Sequence, residues 1–174
     1  RDLHLSLRRQ RQMCIRDRFR CASLKPNNVV EIDVQFEKAK NFLDKKKYLR
    51  AQEEFNNLVI RGTHTDLGDD SQFYLAESYF LNKEYLLAIA EYDRLIRRMG
   101  FSPYVEKARW RVCESYVKES PKYYKDQSNT SKALSKLQEF IDDYPNSEFK
   151  EEANGQILEL RNKLAQKEYA TGIL

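Results

Sequence analysis

The 174-residue chain is one-third charged, has only five glycines and four prolines, and carries a formal net charge of +4 with a pI near 8.9. No run approaches the roughly 20 apolar residues of a membrane-spanning helix, and glycine is too scarce for phosphate-cradling or dinucleotide-binding loops. The basic excess is confined to residues 1–18, which hold six Arg and two Asp; residues 19–174 hold 25 basic and 25 acidic side chains and imply no nucleic-acid surface.

Residues 1–18 show no sustained period, and Met13-Cys14-Ile15-Arg16-Asp17-Arg18 resembles translated sequencing-adapter read-through. The segment reads as a non-native or disordered leader, with an Arg-rich transit segment as the alternative. Residues 19–30, with Pro26 and two Asn, read as a linker. The pattern then predicts helices at about 31–46 and 48–61, joined across Lys45-Lys46-Lys47, and a second pair at about 69–82 and 84–99. Asp69 or Asp70 is placed to cap the third helix, and Gly62 and Gly100 stand where the second and fourth should stop.

Ser102-Pro103 opens a fifth helix as N-cap and first-turn proline, running to about Glu119. A sixth follows at about 130–143, after an inserted stretch, Ser120–Gln127. Tyr144-Pro145-Asn146-Ser147 ends it, and the last helix runs from Glu148 to about Thr171 with Phe149, Ala153, Ile157, Leu160 and Leu164 as its apolar stripe. With nothing after it to cover that stripe, the chain reads as a fragment.

The helices repeat. Lys47-Tyr48-Leu49-Arg50-Ala51 returns 37 residues later as Glu84-Tyr85-Leu86-Leu87-Ala88, and Ala39, Phe42 and Leu43 return as Ala76, Tyr79 and Phe80. The third repeat gives Cys113, Tyr116 and Val117 at the same offset, while Ala133 stands 45 residues after Ala88, eight more than the period. A regular period of this length signals an all-α solenoid of antiparallel helix pairs. Small residues at two positions and aromatics between them resemble the tetratricopeptide pattern: Ala39 and Ala51, Ala76 and Ala88, Cys113 and Ala133 let paired helices cross closely. Residues 31–174 thus read as an array of about three repeats and part of a fourth.

Such arrays bind partners on the face of the first helices. Phe36, Leu43, Phe73, Phe80, Trp110 and Val117 fall there, with Tyr123 and Tyr124 in the inserted loop. Phe36, Phe73 and Trp110 form either an aromatic ladder for an extended peptide or packing against the neighbouring helix; the spacing leaves both open.

Phe73-Tyr74-Leu75-Ala76-Glu77-Ser78-Tyr79-Phe80, the loop Asp126-Gln127-Ser128-Asn129-Thr130-Ser131-Lys132-Ala133, Phe140-Ile141-Asp142-Asp143-Tyr144-Pro145-Asn146-Ser147 and Leu160–Tyr169 resemble the BamD outer-membrane assembly lipoproteins, over residues 30–174. The resemblance implies a non-catalytic scaffold with no cofactor, binding the barrel assembly subunit BamA and nascent outer-membrane proteins from the periplasmic face. It also implies a lipidated cysteine, for which Cys21-Ala22-Ser23 has the right place, although Arg16-Asp17-Arg18-Phe19-Arg20 stands where an apolar signal core should be. The alternatives are a periplasmic coordinator of cell division or a cytoplasmic co-chaperone. The latter needs basic residues converging on the groove, where Asp33, Asp70, Glu77 and Glu114 stand instead.

Cys14, Cys21 and Cys113 lack metal or disulfide spacing, Cys113 reads as a core residue, and His64 reads as a solvated loop histidine. Adjacent acidic pairs such as Glu53-Glu54 diverge around a helix and make no acid/base dyad. Catalysis finds no support in the residues, and no metal is implied.

Overall fold

A computed structural model describes residues 26–61 and 67–172, with side chains from residue 31 onward. The leader, Cys21, the linker up to residue 25, Gly62 and His64 lie outside the described residues. The chain divides into two units, Arg1–Val34 and Gln35–Leu174. In the first, the described residues 26–34 are helical.

Seven helices occur among the described residues, with no strand: α1 Pro26–Asp44, α2 Tyr48–Arg61, α3 Gly68–Leu81, α4 Tyr85–Arg98, α5 Val105–Glu119, α6 Ser128–Asp143 and α7 Lys150–Gly172. From α2 onward each packs on the next, and α1 meets α2 through Phe36 and Phe55, whose ring centroids are 5.8 Å apart. The fold is all-α, a tetratricopeptide-like solenoid of antiparallel pairs. The helix bounds of α2 agree with the sequence, and those of α3 and α4 agree within one residue. α1 begins at Pro26 instead of about residue 31. Residues 26–30, read from the sequence as part of a linker, are thus helical.

The crossing residues explain the pairing. Ala39, Ala51, Ala76, Ala88 and Ala133 are fully buried and Cys113 is 2 % exposed, so backbones approach where no side chain intervenes. Around them two clusters form. Phe73, Ala76, Ala88, Tyr92, Leu95, Ala108 and Val112 join α3, α4 and α5; Trp110, Cys113, Leu137, Phe140, Ala153, Ile157 and Leu160 join α5, α6 and α7. Burying a side chain such as Phe55 or Leu95 contributes about 1.5–3 kcal/mol. The stripe of α7 is therefore covered from behind: Ala153, Ile157 and Leu160 are at most 7 % exposed against preceding helices. Periodicity fixes a face and not the direction in which it points, so this covering by preceding helices is not legible in the sequence.

The turns within repeats one and two share one device. Lys46 and Lys83, 37 residues apart, adopt left-handed φ of 56° and 66°. Lys47 N–H donates to Phe42 O and Lys46 N–H to Leu43 O, at 2.8 and 2.9 Å; Glu84 and Lys83 repeat this with Tyr79 and Phe80 at 2.9 and 3.0 Å. These are Schellman closures, which satisfy the last carbonyls of α1 and α3. The third turn departs from them: Ser120 is extended (φ −66°, ψ 117°), as the residue before a proline must be, and the chain leaves into the insertion.

The helix starts differ from expectation. No side chain caps α3, which begins after Leu67, and Asp69 and Asp70 lie in its first turn, where carboxylates favour the helix dipole. Their oxygens serve the next repeat: Ser102 Oγ donates to Asp69 at 2.7 Å and Tyr104 Oη to Asp70 at 2.6 Å. Ser102 forms a turn, accepting from Tyr104 N–H at 3.2 Å, and α5 starts three residues later, at Val105. The hydroxyl that was expected to cap α5 is committed to Asp69.

Candidate partner-binding surface

On α1, α3 and α5 the aromatic residues turn inward. Phe36, Phe73 and Trp110 are 6, 1 and 3 % exposed. Phe36 meets Phe55 and Tyr74 edge-on, Phe73 stacks on Tyr104 at 4.5 Å, and Trp110 stacks on Phe149 at 5.3 Å beside Phe140. They form no open ladder. Of the two alternatives in the sequence, packing against the neighbouring helix is the one the geometry shows, because each ring is the plug between successive pairs.

Leu43, Phe80 and Val117 are half-buried on the same helices. Against Phe80 lies a polar cluster that the sequence did not reveal. Arg111 donates to both carboxylate oxygens of Glu77 at 2.7 and 3.3 Å and to Glu114 at 2.7 Å, and its guanidinium sits 4.7 Å over the Phe80 ring. Glu77, 7 % exposed, also accepts from Tyr92 Oη at 2.8 Å. Burial works against the Arg111 charge, but Glu77 and Glu114 outweigh it and raise its pKa. Burial, then Glu77, pushes the Tyr92 hydroxyl well up, and burial raises Glu114 against the pull of Arg111. These carboxylates are consumed internally as ion-pair and hydrogen-bond acceptors, which makes the cluster a strut between repeats two and three.

One repeat earlier, Lys40 occupies the place of Glu77 and Tyr74 that of Arg111, and Lys40 Nζ lies 5.4 Å over the Tyr74 ring. The same geometric pair thus recurs with different chemistry. Gln52 adds a second tie between these repeats, donating to Glu84 at 2.7 Å, and Gln72 ties α3 to α4 by donating to the Glu91 carboxylate at 2.8 Å.

The inserted loop is held by Gln127, which is 6 % exposed. Its Nε2 donates to the carbonyls of Lys122, Tyr123 and Lys125 at 2.8, 3.2 and 3.0 Å, and its Oε1 accepts from Thr130 at 2.7 Å. From α7, Lys163 donates to Ser120 Oγ at 2.9 Å and Lys167 to Lys125 O at 3.1 Å. This ordered frame presents Tyr124, 62 % exposed, with half-buried Tyr123 edge-on to it at 5.5 Å. The loop length and the Asp126–Ala133 segment were visible in the sequence; that Gln127 orders the loop was not.

A cleft of about 280 Å³ between α4, α5 and α6 is lined by Asp93, Ile96, Arg109, Cys113 and Lys136 among others. Burial raises the Asp93 carboxyl above its ordinary range and pushes the Cys113 thiol up to about 12. That thiol donates to Lys136 O at 3.2 Å, so it is an inert wall and no nucleophile. Among the described residues no helix is long and apolar enough to cross a membrane.

A search of curated proteins finds no match to the chain. Residues 30–173, nearly all of the helical array, match the profile of the family described as YfiO, outer membrane lipoprotein, and the chain belongs to that family.

Proposed function

We propose that the chain is a BamD-like, non-catalytic scaffold for assembling β-barrel proteins in the outer membrane, binding the assembly subunit BamA and nascent barrel proteins from the periplasmic side. The family match over residues 30–173 carries this reading, and the solenoid, a fold that works by holding partners along extended surfaces, supports it. Cys21 is the proposed lipid anchor. Half-buried Leu43, Phe80 and Val117, with Tyr123 and Tyr124 on the ordered loop, are the proposed contact residues; Phe36, Phe73 and Trp110 are not, because they are already buried.

The mechanism is equilibrium binding raised by tethering, since an anchor confines scaffold and partner to one thin layer and so increases their effective concentration. The test is saturable binding of the chain to the last periplasmic domain of BamA and to an unfolded barrel protein. Tyr124→Ala and Phe80→Ser should weaken one or both with the helical signal unchanged. No saturable binding to either partner would refute the proposal.

A further inference from the structure

Alternation of the helices places the turns α1/α2, α3/α4 and α5/α6 along one edge of the array. α7 ends at that edge too, because Lys167 reaches the carbonyl of Lys125 in the third turn. The edge has a composition of its own. Its first turn is Lys45-Lys46-Lys47, its second holds Lys83, and its third holds Lys122 and Lys125. None of these six ammonium groups makes an ion pair among the described residues.

Exposed apolar side chains stand among the lysines. Leu49, Leu86 and Leu87 are 68, 62 and 51 % exposed, joined by Tyr124 and by Tyr169 at 72 %. Leu49 and Leu86 occupy the same position of successive repeats, so the apolar residues, like the lysines, recur turn by turn. Asp44, Glu84, Glu119 and Asp126 dilute the positive charge on this edge without reversing it.

Lysines beside leucines and tyrosines on one rim are the chemistry of a membrane interface. Ammonium groups meet anionic headgroups, short apolar side chains enter the boundary below them, and tyrosine rings sit at headgroup level. A purely proteinaceous partner would satisfy the leucines, but it gives no reason for an unpaired lysine at every turn. We propose that this edge rests on an anionic phospholipid surface, so that the array is oriented on its membrane by its turns as well as held by a tether. The proposal deepens the outer-membrane reading and rests on it for the membrane concerned.

The experiment uses the full chain and vesicles of phosphatidylethanolamine with phosphatidylglycerol, against vesicles of phosphatidylcholine alone. It needs no lipidated cysteine and no assembly partner, so its failure is distinct from failure of the scaffold reading. A tryptophan is introduced at the edge by Leu86→Trp and, as control, at the opposite edge by Phe101→Trp, where Phe101 is fully exposed. The chain's one other tryptophan, Trp110, is buried and sets the background.

Brominated lipid should quench Leu86→Trp and not Phe101→Trp. Lys45→Glu/Lys47→Glu should weaken partitioning by at least roughly fivefold per lysine, and Leu49→Ser/Leu86→Ser should weaken it with folding unchanged by circular dichroism. Binding that these variants leave intact belongs to the Arg-rich first eighteen residues and would overturn the proposal. So would quenching at position 101 in place of 86, or a dimer in sedimentation velocity that Leu49→Ser/Leu86→Ser abolishes, because the leucines would then face a second copy.

Discussion

Replacing Lys83 by glycine should stabilise the protein, although it removes a long side chain and a charge. Lys83 stands at φ 66° in the turn between α3 and α4, and a residue with a Cβ pays about 1–2 kcal/mol for the left-handed region. Glycine escapes that cost but gives back about 0.5–1 kcal/mol through the greater freedom of its unfolded chain. The net gain is about 0.5–1 kcal/mol, which for a chain of this size raises the thermal midpoint by about 1–4 °C. The two Schellman hydrogen bonds, Lys83 N to Phe80 O and Glu84 N to Tyr79 O, involve backbone alone and survive the substitution. Lys46→Gly should act alike, and the double variant should be close to the sum because the turns share no partner. Lys45→Gly, one residue earlier and without a left-handed φ, should destabilise. Melting followed by circular dichroism decides it: a fall in midpoint for Lys83→Gly, or equal effects at positions 45 and 46, would refute the left-handed closure.

Trp110→Ala should cost about 3–5 kcal/mol in urea unfolding, since the ring is 3 % exposed and stacked on Phe149; a stable variant with lost peptide affinity would restore the exposed-ladder reading. Gln127→Ala should leave the helices intact but release the loop, making Lys122 and Lys125 cleavable in limited trypsin digestion; equal digestion of variant and parent would contradict the frame built on Gln127. Cys113 should resist alkylation in the native protein, followed by peptide mapping, while reacting once unfolded. With its thiol raised from about 9 to about 12 by burial, the stability it contributes is present below the unfolded value and lost as pH rises from about 9 toward 12. A Cys113→Ser variant should lose part of that alkaline fall, and rapid native alkylation would show that the cleft opens.

The sequence disclosed the crossings and not the faces. A small residue every 37 positions has one structural use, so Ala39, Ala76 and Cys113 could be placed directly. Phe36, Phe73 and Trp110 could not, because a groove and an inter-helix seam both call for an aromatic and their spacing is the same. What distinguishes Gln52, Gln72, Arg111 and Gln127 is a carbonyl or carboxylate brought near by tertiary packing, which no local period encodes. Asp69 and Ser102 were recognised as polar groups at helix starts, but their partners turned out to be each other, 33 residues apart. Cys21, the residue on which anchoring rests, stands outside the described residues.

The recurrence of one geometric pair with different chemistry bears on how such a chain avoids assembling wrongly. Near-identical repeats invite a unit to dock on the wrong neighbour, within one chain or between two, during folding. Here the junctions are keyed. Repeat three docked onto repeat one would set Arg111 against Lys40, two cations, and repeat two would be left with Glu77 without its guanidinium partner. The Arg111 strut is thus a lock against misregistration: it spends a buried ion pair to make the order of the repeats unambiguous before any partner is met.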